Sequence, residues 1–469
     1  MKIQNIIGLL ISITIFSCTD KLEIQAPSNL TTGSFYQTAK DIDQAVIATY
    51  DALQNQGQYG FNFMMYMDIR SDDASVESPT NVGGDYGDID LFQLEASNSV
   101  VSNSWNSCYQ GIQRCNIVLN RIGAIQMDET IKKVRIGEVK FIRALTYFNM
   151  VRLWGDVPLV LEETKDPFDF FTVGRTPNAE VYAQIIKDLE EAATALPATN
   201  DLGRATNGAA NALLGKVNLT LGKWAEAVLA LNKVSGYSLN ADFAKNFGSA
   251  NENGKESIFE VQFKANNTGE GSSYPNQVAP VGARALVGNI GTQRGENIPS
   301  KTLYDSFETG DLRRDISIGI FENRINYAKK MIEKPLTENN SDLNIIVMRF
   351  ADVLLMRAEA LNEQSYVANG EAFSLLNQIR NRAGLASLTS VNLPNQAAFR
   401  TAVYKERRHE FVSEFQRWFD LVRTGRAIAV MNASTSAFTV EQFELLFPIP
   451  LTAIDAINNP KILPQNPGY

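Results

Sequence analysis

Few residues in this chain are equipped for acid–base, nucleophilic or metal chemistry. Its 469 residues include one histidine, His409, and three cysteines, Cys18, Cys108 and Cys115. Only His409 could act as the base of a Ser-His-Asp or Cys-His arrangement. His409 and Glu410 begin like a zinc-protease helix, but the second histidine of that motif is missing. The inventory therefore excludes a His-rich zinc site and a structural cysteine cluster.

Carboxylates offer the remaining chemistry. Asp72 and Asp73 are adjacent, and Asp85, Asp88 and Asp90 lie close together in a glycine-rich stretch. Each group could supply paired catalytic carboxylates or calcium ligands, although a solvated, capping or turn role is more common. The calcium-loop pattern of alternating acids followed by a distant Glu is absent. We predict no cofactor and leave a structural calcium ion open. Glycosidase carboxylate pairs have no local signature, so a secreted glycan-cleaving enzyme remains an alternative.

Composition and charge exclude other classes of protein. Apolar residues make up 44% and charged residues 20% of the chain, which is typical of a globular protein. The formal net charge is -9 and the pI about 5.0. Proteins that bind nucleic acid by neutralising phosphates are basic, so no nucleic-acid partner is expected. The segment 288–295 (GNIGTQRG) lacks the spacing of a dinucleotide- or phosphate-binding loop.

The N-terminus resembles a lipoprotein signal. Lys2 supplies positive charge, residues 6–16 are almost entirely apolar, and the small residue Ser17 precedes Cys18. The apolar run is too short to span a bilayer, which takes about 20 residues, and the pattern is typical of an export signal. We predict a signal peptide over 1–17, lipidation of Cys18, and a membrane contact through this anchor only. The alternatives are an ordinary signal peptide that contains Cys18 and a buried start to the fold.

Helical periodicity dominates the rest of the chain. Apolar residues recur at intervals of three and four over about 38–55, 101–234 and 345–430. Several of these helices form antiparallel pairs with small residues at the crossing, such as Gly215, and they resemble tetratricopeptide pairs. The predicted fold class is mainly α, an α–α superhelix with little β, although an unrelated helical bundle fits the periodicity almost as well. The later helices are predicted at 205–221, 223–234, 350–364, 371–383 and 396–424.

Two regions interrupt this pattern, at about 56–100 and 235–340. The first is rich in Gly, Asp, Ser and aromatic residues. The second contains one strand-like run at 257–263, followed by long stretches rich in Gly, Asn and Pro. Long loops on a rigid helical scaffold are where recognition usually occurs. These regions are therefore predicted to carry the ligand-binding face.

Cys108 and Cys115 lie in one predicted helix. Seven residues of helix separate their Cα atoms by roughly 10.5 Å, beyond the reach of a disulfide. Both are predicted to be small core residues.

The segment 406–423 alternates opposite charges at intervals of three and four, with aromatic residues between them. This pattern indicates a buried or half-buried ion-pair network with a structural role.

Eight segments in order along the chain form a highly specific set that spans nearly all of it after Cys18. They are 137–148 (GEVKFIRALTYF), 154–159 (WGDVPL), 203–206 (GRAT), 345–360 (IIVMRFADVLLMRAEA), 376–384 (LNQIRNRAG), 406–423 with ERR and RWFDLVR, 446–450 (LFPIP) and 465–469 (QNPGY). Together they resemble the SusD/RagB family of outer-membrane nutrient-binding lipoproteins of Bacteroidetes.

The resemblance implies a single SusD-like domain over 18–469, with four tetratricopeptide-like helix pairs and a loop-rich face. Family members bind a glycan or other nutrient at the cell surface and cover a SusC-like TonB-dependent transporter that imports it. The resemblance thus implies an outer-membrane, lipid-anchored protein that is not an enzyme. A helical-repeat scaffold that binds only protein is a further alternative.

Candidate ligand contacts come from the two loop regions. The four tryptophans, at positions 105, 154, 224 and 418, lie on predicted helices or their ends. A sugar-stacking platform would then use tyrosine or phenylalanine, with planar polar side chains for the hydroxyls. The candidates are Asn81, Asp85 and Tyr86 from the first region, and Tyr274, Arg284, Gln293 and Arg294 from the second. Residues 235–340 contain 12 Lys or Arg and 13 Asp or Glu, so a neutral glycan is favoured slightly over an acidic one.

Overall fold

A computed structural model describes residues 35–78, 84–166, 168, 172–266, 269–435 and 437–469. The predicted lipidation residue Cys18 and the candidate ligand residue Asn81 lie outside the described residues.

The first half of the scaffold consists of helices, several of which begin at a capping side chain. These helices are α1 Ala39–Gln54, α2 Asn62–Ile69, α3 Gly84–Asp90, α4 Ser99–Arg121, α5 Glu129–Trp154, α6 Asn178–Ala195, α7 Asn207–Thr220 and α8 Trp224–Leu231. Thr38 and Asp41 form a capping box at α1, Asn98 caps α4 and Asp128 caps α5. Each cap accepts hydrogen bonds from N–H groups that the first helical turn leaves without partners.

The second half contains short helices followed by a second group of longer ones. They are α9 Tyr274–Val278, α10 Lys301–Ser306, α11 Arg314–Ser317, α12 Phe350–Gln364, α13 Glu371–Arg382, α14 Gln396–Glu410, α15 Arg417–Arg423, α16 Ala427–Ser434 and α17 Leu451–Ile457. The helices predicted at 350–364 and 371–383 are confirmed. The single helix predicted at 396–424 is wrong, because Ser413 and Phe415 adopt φ of +53° and +64° between α14 and α15. An α-helix has no place for such left-handed residues.

Strands are short, which confirms the mainly α fold class. The described residues form four antiparallel pairs: β1 Ala74–Ser75 with β5 Ile298–Pro299, β2 Val157–Pro158 with β3 Arg175–Thr176, β4 Ser257–Val261 with β8 Ile345–Arg349, and β6 Ile318–Phe321 with β7 Ile325–Ala328. The strand predicted at 257–263 is β4. The first interrupted region is more helical than predicted, since it holds a π-helical turn at Gln56–Gly60 together with α2 and α3.

The long helices stack in a row. α1 packs on α4 and α4 on α5; α5 then packs on α6, α6 on α7 and α7 on α8. The row continues as α8 packs on α12, and α12 on α13 and α14. At the predicted crossing of α7 and α8, a Cβ on Gly215 would lie 2.4 Å from a methyl carbon of Leu231, so only glycine permits this approach. Within the described part of the chain, no helix is both long and apolar enough to cross a membrane.

Cys108 and Cys115 are buried free thiols, as predicted. Both are fully buried in the main hydrophobic core. Burial raises the pKa of the Cys115 thiol to about 12, so it remains protonated at neutral pH.

Buried ion pairs join the second loop region to the helical scaffold. Arg349, at the end of β8, lies 2.8 Å from Glu256 and 2.7 Å from Glu414, and it also pairs with Glu410 of α14. Lys330 lies 2.6 Å from Glu414. The left-handed residues between α14 and α15 place Glu414 where it meets both cations. The predicted ion-pair network of segment 406–423 is confirmed.

Candidate functional site

The two interrupted regions, 56–100 and 235–340, meet on one side of the molecule. β1 comes from the first region and β5 from the second, and the two strands pair. The Glu77 N–H donates to the Gly295 carbonyl at 2.8 Å, and the Val281 N–H donates to the Glu77 carboxylate at 2.7 Å. Residues more than 200 positions apart therefore build one surface.

Asn276 fixes the irregular segments of this surface. Its fully buried side-chain amide donates to the carbonyls of Ile290 and Thr292, at 2.8 and 3.2 Å, and its oxygen accepts from the Asn339 N–H at 2.9 Å. Irregular backbone lacks ladder partners, so this one side chain supplies the missing hydrogen bonds. The outer side of segments 84–88, 281–295 and 336–340 is termed the loop surface below.

Gly291 lets two of these segments approach closely. It adopts φ of +67°, and a Cβ there would lie 2.5 Å from the Glu338 side chain. The Glu338 carboxylate accepts from the adjacent Thr292 N–H at 3.0 Å. Glycine is required at this position because of its positive φ and because a Cβ would clash with the Glu338 side chain.

Tyr86 on α3 presents a half-buried aromatic ring at the loop surface. Its hydroxyl donates to Asn62 at 2.8 Å, and its ring meets Phe61 edge-on with centroids 5.6 Å apart. Burial and then the charge of Glu296 raise the pKa of Tyr86, while the charge of Arg294 opposes this change. The structure thus brings two of the candidates, Tyr86 and Arg294, into one electrostatic neighbourhood.

Arg284 and Arg294 are exposed. Arg284 begins a 3₁₀ turn, and its carbonyl accepts from the Asn289 N–H at 2.8 Å. Among the described residues, neither guanidinium has a hydrogen-bond or ion-pair partner, so both are available to a ligand.

Asp85 is half-buried, and one of its two carboxylate oxygens accepts hydrogen bonds within the protein. One carboxylate oxygen accepts from the Ser99 N–H at 3.0 Å and from the Ser99 hydroxyl. Its carbonyl accepts from the Asn98 side chain at 3.0 Å. Asp85 therefore orders the start of α4, and its other carboxylate oxygen accepts from no described residue.

Tyr274 and Gln293 require correction. Tyr274 is 1% exposed, donates its hydroxyl to the Phe61 carbonyl at 3.2 Å, and packs against Phe61 and Phe415. It belongs to the core, so it cannot form an exposed stacking platform. Gln293 is 6% exposed and donates to the Gly291 carbonyl at 2.6 Å. Its amide shapes the loop instead of pointing to solvent.

Glu296 is a residue that the sequence reasoning missed. It is 8% exposed, and its Oε2 has no hydrogen-bond partner in the described structure. Burial raises the pKa of this carboxyl to about 7, and the neighbouring Arg294 charge only partly offsets the effect. The sequence feature that could have pointed to Glu296 is segment 294–296, where residues of opposite charge flank a glycine.

The sequence's one histidine is not arranged as a base. His409 is buried, stacks on Phe307 at 4.3 Å, and lies 2.9 Å from the Ser306 hydroxyl through Nε2. Ser306 donates its proton to the Leu303 carbonyl at 2.7 Å, so Nε2 must be the donor towards Ser306. Burial, together with the charge of Arg313, lowers the pKa of His409 to about 3.

Asp72 and Asp73 are engaged by arginines. Arg417 lies 2.8 Å from Asp72, and Arg408 lies 2.5 Å from Asp73. These carboxylates thus contribute to ion pairs that join the first loop region to α14 and α15. Across the ranges that the structure describes, no group of three His, Cys, Asp or Glu side chains could hold a metal ion.

Two family sequence profiles match the chain. Residues 310–469 match the profile described as the SusD family, and residues 20–219 match one described as starch-binding and associating with the outer membrane.

Known proteins are similar over the full chain. Two SusD-like proteins of Formosa agariphila are 29% and 30% identical, each over 100% of both chains. The solved structure of a laminarin-binding SusD-like protein is 28% identical and superimposes with a TM-score of 0.80, covering 92% of this chain and 100% of that one. The similarity therefore includes both the sequence and the fold.

Proposed function

The chain belongs to the SusD/RagB family, and from this premise we propose that it captures a glycan at the outer-membrane surface and delivers it to a SusC-like TonB-dependent transporter. The proposal is supported by a half-buried tyrosine, Tyr86, and an exposed arginine without a described partner, Arg294, which lie on the same loop surface fixed to the helices. Capture without cleavage agrees with the surroundings of His409, Asp72 and Asp73. The histidine is hydrogen-bonded to Ser306, and both aspartates form ion pairs with arginines.

The chemistry of the loop surface suits a sugar. A pyranose ring presents a face of C–H groups that packs on an aromatic ring, and its hydroxyls bind planar donors and acceptors. In the proposed site Tyr86 supplies the ring, Arg284 and Arg294 donate hydrogen bonds, and Asp85 accepts them. Asn81 is proposed as a further amide contact.

A neutral glycan fits the charge of this surface. The loop surface carries Arg284 and Arg294 against Asp85, Asp88 and Glu338, and the wider second region is nearly balanced in charge, so neither has an excess of basic residues. A surface selective for a polyanion would carry an excess of basic residues. The similarity to a laminarin-binding relative supports a polysaccharide ligand.

The lipid anchor and the transporter partner are part of the same proposal. Cys18 follows an apolar signal-like segment, and a matched profile is described as associating with the outer membrane. Radiolabelled palmitate should be incorporated into the protein in its native host and be lost in Cys18→Ala. Chemical crosslinking in those cells should join the lipidated protein to a TonB-dependent transporter.

The test of function is a binding screen of acyl-free residues 19–469 against neutral and acidic polysaccharides, including laminarin. We expect retention by at least one neutral polysaccharide and no shortening of bound oligosaccharide. Release of shorter products would favour the glycan-cleaving alternative. Retention by no polysaccharide would favour the protein-binding scaffold.

A further inference from the structure

A cavity of ≈ 290 Å³ lies within the helical scaffold, and none of its lining residues belongs to the loop surface. It is bounded by the C-terminal ends of α5 and α7, the N-terminal end of α6, and α15. Much of its wall is apolar, and includes Tyr182, Leu219, Phe419 and Val422. Pockets for drug-sized ligands are typically about 300–1,000 Å³, so this cavity would hold a smaller molecule.

Four cations line the cavity, and three of them are paired with carboxylates. The pairs are Lys216 with Asp352 at 2.9 Å, Arg407 with Asp352 and Asp420 at 2.7 and 2.8 Å, and Arg423 with Asp420 at 2.8 Å and with Glu359. Three carboxylates thus face four cations, which leaves one positive charge in excess.

The fourth cation is Arg152, on the last turn of α5. Its guanidinium lies between two aromatic rings, 3.8 Å from the Phe148 centroid and 3.7 Å from the Phe419 centroid. It donates through Nε to the Phe148 carbonyl at 3.0 Å and through Nη2 to the Asn149 side chain at 2.5 Å. In the described chain, Nη1 has no acceptor and no carboxylate forms an ion pair with Arg152.

Arg152 is half-buried and lacks an ion-pair partner. Desolvation lowers the pKa of its guanidinium to about 10, although the charge of Asp420 opposes this change, so the side chain remains charged at neutral pH. A partly desolvated cation loses hydration, which an anion and hydrogen bonds can replace. The two rings cover the faces of the guanidinium and leave its edge as the side where an anion would bind, because carboxylates bind arginine in the plane of the fork.

We propose that this cavity binds a small organic monocarboxylate with an apolar body. The carboxylate accepts hydrogen bonds from Arg152, and the body packs against Tyr182, Leu219 and Phe419. This site is separate from the proposed glycan site, so the failure of either proposal leaves the other unaffected.

The test uses acyl-free residues 19–469 and phenylacetate as the probe, with binding measured by saturation-transfer NMR and titration calorimetry. Phenylacetamide is the matched neutral ligand because it keeps the shape and removes the charge. Phenylacetate should bind at least about tenfold more tightly than phenylacetamide, since hydrogen bonds to charged groups are the stronger ones. Prior saturation with the glycan should leave this binding unchanged.

Two variants locate the site. Arg152→Met keeps the length and packing of the side chain and should weaken phenylacetate binding at least about tenfold. Ala179→Trp, at an exposed lining position on α6, should block the cavity while leaving Arg152 in place. Arg324→Met, which removes an exposed arginine in the β6–β7 turn, is the control and should bind normally.

Loss of phenylacetate binding in a folded Ala179→Trp variant would support the site even if Arg152→Met does not fold. The proposal is overturned if the native protein does not bind phenylacetate at millimolar concentration. Equal affinities for phenylacetate and phenylacetamide, or unchanged binding in both cavity variants, would also overturn it.

Discussion

The Tyr86 ring is held at its edges while part of it stays open to solvent. Its hydroxyl is bound to Asn62, and Phe61 contacts it edge-on. A side chain that is already ordered loses little conformational entropy when a ligand packs on it. This makes Tyr86 well suited to stack against a sugar ring.

Replacing Tyr86 with alanine should weaken binding of the glycan identified in the screen by about three- to tenfold, because aromatic contacts of this kind contribute about 0.5–1.5 kcal/mol. Tyr86→Phe keeps the ring and should retain near-native affinity. Isothermal titration calorimetry measures both. Native affinity in Tyr86→Ala would remove this ring from the site.

Arg294→Ala should weaken the same interaction by about threefold or more, since one or two hydrogen bonds to sugar hydroxyls are lost. Arg324→Ala removes an exposed arginine whose partner is Glu322, at 3.2 Å, and it serves as the matched control. Equal glycan affinities of the two variants would mean that Arg294 does not contribute to glycan binding.

The raised pKa of Glu296 predicts that the free energy of unfolding depends on pH. Its folded pKa of about 7 lies above the usual value of 4.5. The unfolded chain therefore loses the proton first, and native stability falls as pH rises from about 4.5 to about 7. Glu296→Gln removes this effect, so it should stabilise the protein by about 3 kcal/mol at pH 7.5 and by little at pH 4.

Urea unfolding of both proteins at the two pH values measures this difference. Other carboxyls with raised pKa, such as Asp68 and Asp90, are present in both proteins and cancel. A constant difference between the proteins at the two pH values would mean that Glu296 is ionised at no cost.

At the scale of elements, the loop surface depends on segments that have little regular structure of their own. Asn276 holds residues 290–292 and 339 together through three hydrogen bonds. The position of Arg294 follows from this arrangement, because its N–H donates to the Asn276 carbonyl at 3.1 Å. Glycan binding is therefore expected to depend on the buried Asn276 side chain, even if Asn276 does not contact the ligand.

Asn276→Ala should destabilise the protein by about 1–3 kcal/mol, since it leaves buried backbone groups without partners. The amides of residues 290–294 and 339 should exchange hydrogen faster, and glycan affinity should fall. Hydrogen-exchange mass spectrometry follows the loops, and circular dichroism checks that the helices are intact. Asn369→Ala, which removes side-chain bonds to Ser390 in another turn, should leave these amides unchanged.

At the scale of the whole molecule, the ion-pair network around Arg349 unites the loop-rich region with the helical stack. Arg349 ends β8, Glu410 belongs to α14, and Glu256 precedes β4. Arg349 is 1% exposed, so removing it would leave several carboxylates buried without compensation. The network therefore fixes the loop surface relative to the scaffold.

Arg349→Met should lower the free energy of unfolding by about 3–5 kcal/mol, which is the usual cost of breaking a buried ion pair from one side. Arg324→Met, at an exposed pair, should change it by less than about 1 kcal/mol. Urea unfolding at neutral pH compares the two variants. A small effect at Arg349 would indicate that water reaches these carboxylates.

The helical scaffold, the positions of the two loop regions and the family could all be predicted from the sequence. Helix periodicity, capping and small residues at crossings are local properties, as Thr38 and Gly215 illustrate. The alternating charges of 406–423 likewise revealed an ion-pair network. The same charge pattern did not reveal the break between α14 and α15. The left-handed turn at this break is supported by ion pairs of Glu414 with Lys330 and Arg349, which are distant in the chain.

Which loop residues face solvent depends on the three-dimensional fold and could not be predicted from the sequence. Tyr86 and Tyr274 were equivalent candidates, but contacts with Phe61 and Phe415 bury Tyr274 in the core. Glu296 and Asn276 carried weak signals or none, because their surroundings come from segments far away in sequence. Burial in an irregular region is set by long-range packing, and no local pattern of residue types encodes it.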